Sequence, residues 1–238
     1  MTLTSFLYPV NVRFMDGQPQ IMSLDEPPEA AAFEFVELLA RRAVNMRGRP
    51  KRARTRAKIL ASAARELASK GYEGLTVDGI CAAIGMARGT FYLYYPDRSR
   101  IAVVVYRMFW AAVYRVRPRL RGRSLEERIR VTNAFYIALY ARNAPFLAGQ
   151  SALGRERPEF ALWHDASNHR WSQIIAANMP GPLPRDEKVL RARALVAMAD
   201  ELLSNIFTAR TPSLHHWADE PGRLANGLTA IWTRVVAD

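Results

Sequence analysis

The sequence predicts an all-α fold: an N-terminal helix-turn-helix (three-helix) domain followed by a larger C-terminal helical domain. Three observations lead there. Apolar residues recur at helical spacing in segment after segment, and no strand pattern or internal repeat survives a length test. Residues 76–98 set two short helices around a glycine turn. Positive charge is also segregated. Residues 41–130 hold 22 Lys and Arg against 6 Asp and Glu, a net of +16. The remainder holds 12 basic and 16 acidic residues, a net of −4, within a chain total of +12. A charge that served only solubility would not divide this way, and the asymmetry points to a polyanion partner.

Residues 1–24 show no sustained period and are broken by Pro9, Gly17 and Pro19. Pro27 and Pro28 can open a helix, since proline is tolerated in the first turn. Glu29 to Val44 would follow, with Phe33, Val36, Leu39 and Ala43 on one face. Its role is open between packing on the head or a partner subunit and an unused extension. Nine basic residues and no acidic one then fill 41–58. Within them Arg47-Gly48-Arg49-Pro50 is slim and extended, a shape that suits a narrow A·T-rich minor groove. The same four residues resemble an AT-hook core. Minor-groove or phosphate contact by Arg47, Arg49 and Lys51 is the favoured reading over a solvated linker.

Arg54 to Lys70 reads as the first helix of the head, with rows Ile59, Ala63, Leu67 and Leu60, Ala64, Ala68, stopped by Gly71. Thr76 is an N-cap candidate for the next helix, whose inner face is Val77, Ile80 and Ile84. Gly85 takes a left-handed C-cap without steric cost. The following short helix starts near Ala87, and Pro96 closes the unit.

The second domain begins with a helix over Ser99 to Arg117, with Ile101, Val104, Val105, Met108, Phe109 and Ala112 inward. Pro118 ends it, before a basic loop of Arg119, Arg121, Gly122 and Arg123. Ser124 with Glu127 makes a capping box for Leu125 to Asn143. Pro145 and Gly154 bracket a turn; Glu156 to Asn178 is helical; residues 180–184 form a loop; Arg185 to Thr208 and Pro221 to Val236 are the last two helices.

A single cysteine, Cys81, rules out an intramolecular disulfide framework and reads as a small buried hydrophobe. No apolar run reaches the length of a membrane span, and a cytoplasmic protein without membrane contact is expected. His164 and His169 lie on different helix faces. His215-His216 with Asp219 and Glu220 fits an exposed helix start better than a metal site. No phosphate-cradling loop, nucleophile elbow or metalloprotease helix appears, so no enzyme, cofactor, catalytic residue or metal is expected.

The stretch IGMARGTFYLYYPDR resembles the recognition-helix signature of TetR-family transcriptional regulators, with Gly85, Met86, Gly89, Thr90, Phe91, Tyr92 and Tyr95 in register. The preceding helix also matches, so the resemblance spans roughly residues 50–110. Three positions depart from it: Ala87 replaces a capping serine, Arg98 a lysine and Ser99 a glutamate. An alanine cap weakens the helix start by about 0.5–2 kcal/mol against serine.

The resemblance implies a division into an extension (1–46), a head with basic arm (47–98) and an effector-binding and dimerisation domain (99–238). In the head, Arg88 can donate two hydrogen bonds to a guanine, and Gly89 keeps the backbone close to DNA. Thr90 can reach a base edge. Tyr92, Tyr94, Arg98 and Thr76 are expected on phosphates, with Phe91 and Tyr95 packed inward. The family implies a C-terminal pocket for a small-molecule effector, with the candidate lining Phe109, Trp110, Tyr114, Phe135, Tyr140, Phe146, Trp163 and Trp171. An aromatic stripe is more often plain core, so the pocket rests on the resemblance. It also implies a homodimer through the last two helices. Their stripes are Leu195, Met198, Leu202 and Ile206, then Leu224, Leu228, Ile231, Trp232 and Val235; intrachain packing is the other use for them. The expected activity is that of a sequence-specific transcriptional regulator, a repressor, which binds a palindromic double-stranded DNA operator as a dimer and is released by a small-molecule ligand. The readings from other classes are an architectural DNA-binding protein and an all-α enzyme.

Overall fold

The computed structural model describes residues 33–46, 48–118 and 120–237. The segment before residue 33, including the Pro27-Pro28 helix start, lies outside the described residues, as do Arg47 and Arg119.

Ten α-helices and no strand occur among the described residues. The head consists of α2 (Lys51–Lys70), α3 (Val77–Ala82) and α4 (Arg88–Tyr92). One face of α2 is buried through Ile59, Ala63, Ala64 and Leu67. Ile80 and Phe91 reach the same core from α3 and α4. The Ser62 hydroxyl donates to the Ile80 carbonyl at 3.0 Å and fixes α3 on α2. Burying one such aliphatic or aromatic side chain is worth about 1.5–3 kcal/mol, enough to hold helices this short, which would not persist alone.

Ahead of the head comes α1 (Phe35–Asn45), which packs along α2. It carries Phe35 and Leu39 into the core; Phe33, Val36 and Ala43 pack at its margin. Phe35 meets Phe109 and Phe146 of the second domain at ring-centroid distances of 5.3 and 5.2 Å. Of the roles left open for this helix, packing on the head is the one observed, and it reaches the second domain as well.

The second domain begins with α5 (Arg98–Val116), whose N-cap Asp97 accepts from Arg100 N–H. α6 (Leu125–Leu147) starts at the reciprocal Ser124–Glu127 box. It does not stop at Asn143 but runs through Pro145. A proline there loses one hydrogen bond in the final turn, while the next two residues, Phe146 and Leu147, are buried; packing outweighs the local preference. The turn expected up to Gly154 is likewise a short helix, α7 (Gln150–Glu156), with Leu153 buried. α8 (Pro158–Ala176), α9 (Arg185–Leu203) with a π turn (Ser204–Thr208), a 3-10 turn (His215–Asp219) and α10 (Pro221–Ala237) complete the chain. α10 lies against α6, and α8 against α9.

Candidate nucleic-acid interface

The reading unit is built as the sequence requires. The Thr76 hydroxyl accepts from Gly79 N–H at 3.0 Å and caps α3. Gly85 has φ +63°, a backbone state that costs a residue with a Cβ about 1 kcal/mol or more. Ala87 caps α4 without a side-chain hydrogen bond. Phe91 and Tyr95 are buried, and the Tyr95 hydroxyl accepts from Arg56 Nε at 3.2 Å, which ties the end of the unit to α2.

The outer face carries Thr76, Arg88, Gly89 and Tyr92, all exposed, with Thr90 half-buried beside them. A Cβ on Gly89 would meet nothing within 4 Å, so the fold itself does not demand glycine there. Arg88 is folded back onto its neighbours. Its Nε lies 3.2 Å from Asp78 Oδ1, and its Nη1 donates to Asp78 Oδ2 at 3.3 Å. Its Nη2 reaches the Tyr92 hydroxyl at 3.5 Å; that bond, then Asp78, raises the guanidinium pKa. Sequence reading missed Asp78 as the partner of Arg88, although the two stand ten apart across one turn. It also missed Leu93, which is 75% exposed at the end of α4.

Two expected contacts are placed elsewhere. Tyr94 is half-buried against the core. Arg98, expected on a phosphate, is turned inward. Its Nη1 donates to the carbonyls of Tyr72, Glu73 and Leu75 at 3.0, 3.3 and 3.3 Å, and its Nη2 pairs with Glu156 at 3.1 Å. The guanidinium also lies 4.8 Å from the Tyr72 ring centroid. The loop after α2 presents these three carbonyls together, and an arginine fork satisfies several at once. Arg49 and Lys51 are exposed at the start of the basic arm.

Arg98 is one part of a joint between head and second domain. Arg157, at the start of α8, donates to the Ser99 hydroxyl at 3.1 Å and lies 3.9 Å from Asp97. The Tyr106 hydroxyl donates to the Phe146 carbonyl at 2.9 Å. Gly149 sits so close to this joint that a Cβ would come within 2.6 Å of the Tyr106 hydroxyl and 3.0 Å of Tyr72 N.

Further along α5 a cavity of about 490 Å³ opens between α5, α6, α8, α9 and α10. Trp110, Tyr114, Trp163 and Trp171 from the expected lining are on its wall. Phe109, Phe135, Tyr140 and Phe146 are not; they are buried in the core. Helical spacing brings a residue to the interior without saying whether the interior is filled there. Tyr136, Trp232, His164 and Asp200 join the wall without having been foreseen. Burial lowers the His164 pKa. Burial raises the Asp200 carboxyl to about 6, against the hydrogen bond it accepts from the Tyr140 hydroxyl at 3.3 Å.

The stripes expected at a dimer interface are largely used within the chain. Leu195, Ile206, Leu224, Leu228 and Trp232 are buried, and Met198, Leu202 and Val235 are half-buried. Ile231 is 47% exposed, and Leu190 on α9 is 68% exposed. No group of three or more His, Cys, Asp or Glu residues able to hold a metal occurs among the described residues. Nor is any described helix long and apolar enough to cross a membrane.

An exposed two-helix reader on a three-helix head, hung on a larger helical domain, defines a helix-turn-helix DNA-binding transcription regulator. Residues 59–103 match the model of the bacterial regulatory proteins of the tetR family, so the head is similar to the heads of that family. Its overall fold agrees. A TetR-like transcriptional regulator from Rhodococcus sp. RHA1 superimposes with TM-score 0.57 at 17% identity, over 80% of this chain and all of that one. GusR of Salmonella enterica gives 0.61 at 18%, over 80% and 99%. The fatty acid degradation regulator FadR from Bacillus halodurans gives 0.56 at 17%, over 72% and 93%. No curated protein matches the sequence.

Proposed function

We propose that this regulator binds a palindromic operator as a homodimer, acts as a repressor, and leaves the DNA when a small molecule occupies the cavity. The carrying observation is the outer face of α3 and α4, where Thr76, Arg88, Gly89 and Tyr92 stand together on an otherwise well-anchored head. On a duplex, Arg88 exchanges Asp78 for guanine O6 and N7, a bidentate contact worth about 1–3 kcal/mol of discrimination. Thr90 reads beside it, and Tyr92 and Thr76 hold phosphates. Arg47, Arg49 and Lys51 run from the start of α2 along the backbone or into the minor groove.

Pairing would use α9 and α10, where Leu190 and Ile231 remain outward, and would set the two α4 helices about 34–36 Å apart or a multiple of that. α5 supports the release step. It has 19 residues, about 28 Å, and runs from the Arg98 joint to the cavity wall at Arg107, Trp110 and Tyr114. α8 touches both ends as well, through Arg157 at the joint and Trp163 and Trp171 on the wall.

Selection of bound sites from random DNA tests the reading. A two-fold symmetric consensus is expected, with specificity at one base pair per half-site relaxed in Arg88→Ala. Equal affinity for selected and scrambled duplexes would leave the architectural reading in its place.

A further inference from the structure

The cavity carries information about the chemistry of its ligand. Most of its wall is ring and hydrocarbon, with Trp110, Trp163 and Trp171 contributing indole rings. The polar groups are unevenly matched. Arg107 Nε and Trp232 Nε1 are buried with no hydrogen-bond partner among the described residues. Both residues are on the wall, and both atoms are donors. An unpaired buried donor is costly, which favours an occupant rich in acceptors. The charges lean the same way. Arg107 lies over the Trp163 ring at 5.2 Å, and burial lowers its pKa, so its positive charge is poorly compensated where it stands. Glu159, whose field reaches Arg107, is held by Arg157 and Arg100. Arg117 stacks on the Tyr114 and Trp171 rings, 3.9 and 5.1 Å from their centroids. Against these stands one wall carboxylate, Asp200, which already accepts from the Tyr140 hydroxyl. A cationic ligand would find a single carboxylate that is already hydrogen-bonded; an anion would find an arginine with an open donor.

We infer that the cavity binds an aryl carboxylate, its ring among the Trp110, Trp163 and Trp171 side chains and its carboxylate accepting from Arg107. The inference rests on the reading of this cavity as the effector site. Stacking on indole supplies affinity that tolerates variation in the ring, and the buried guanidinium supplies selection for the head group, since an anion there both fills the open donor and offsets the charge.

Calorimetric titration of the full chain tests it, with 1-naphthylacetate and 4-phenylbutyrate as probes, each beside its primary amide and the amine of the same skeleton. Each acid is expected to bind at least about tenfold more tightly than its amide, with the amine weakest; a tenfold ratio corresponds to about 1.4 kcal/mol. Arg107→Met should bring the acid to the level of the amide and leave the amide unchanged. Equal or better binding of the amide or amine, or no binding of either acid, overturns the inference on the unaltered protein, whatever the stability of the variant. Operator release is measured separately on the selected duplex. An acid that binds without releasing DNA leaves the site standing and removes the ligand-release reading. An amine that binds and releases DNA does the reverse.

Discussion

At the scale of single residues, Arg88, the proposed base reader, lies in an ion pair with Asp78. Arg88 and Asp78 are both well exposed, at 60% and 66% of their side-chain surface, so the pair adds little to stability. Its consequence lies in binding, because Asp78 competes with DNA for the guanidinium and adds a negative charge beside phosphates. Asp78→Asn is therefore expected to tighten operator binding by roughly three- to tenfold at low salt, with an unchanged melting temperature; fluorescence anisotropy on a labelled operator measures it. Asp200 gives a pH prediction. Its folded pKa, about 6, stands above the ordinary 3.8 of the unfolded chain. The native state therefore binds the extra proton between those values, and stability falls as pH rises from about 4 to about 6. Above that window the buried charge costs up to about 3 kcal/mol. Asp200→Asn should accordingly melt higher than the parent at pH 7.5, and the gap should close near pH 4. An equal gap at both pH values would show that titration of this carboxyl is not the cause.

At the scale of elements, the start of α1 is fastened by the buried side chain of Asn143. Asn143 on α6 accepts from Phe35 N–H at 2.9 Å and donates to the Phe33 carbonyl at 2.9 Å and to Leu139 at 2.9 Å. The amide thus satisfies the first turn of α1, whose N-cap residue Glu34 makes no side-chain cap. Asn143→Ala leaves the buried Phe35 N–H and the part-buried Phe33 carbonyl without this partner, at about 1–3 kcal/mol for a buried group. The expected result is a loss of about 3 kcal/mol in denaturant unfolding and faster amide exchange through α1, while exchange in α9 is unchanged. The stripe of α1 was legible as a helical period at Phe33, Val36, Leu39 and Ala43. Its anchor was not, since Asn143 is 108 residues from Phe35 and nothing in local spacing links them.

At the scale of the whole molecule, the question is how the head is held on the second domain, and Arg98 distinguishes two answers. A phosphate contact and a joint both lower operator affinity when removed, but only the first involves counter-ion release. Arg98→Met is expected to destabilise the fold by about 2 kcal/mol, discounting its partial exposure, and to weaken operator binding with an unchanged salt slope. A slope reduced by about one would place the side chain on DNA. The helix-turn-helix unit, the all-α class, the capping residues Thr76 and Ser124 and the left-handed Gly85 were readable because each depends on residues within a turn or two of one another. Tertiary packing decided the rest. It carried α6 through Pro145 to bury Phe146, turned Arg98 onto the carbonyls of Tyr72, Glu73 and Leu75, and filled the interior at Phe109, Phe135, Tyr140 and Phe146 while leaving space beside Trp110, Tyr114, Trp163 and Trp171. Local sequence sets backbone preference and which faces are apolar. Which buried faces meet, and where they leave a void or an unpaired donor, depends on contacts between residues far apart in the chain.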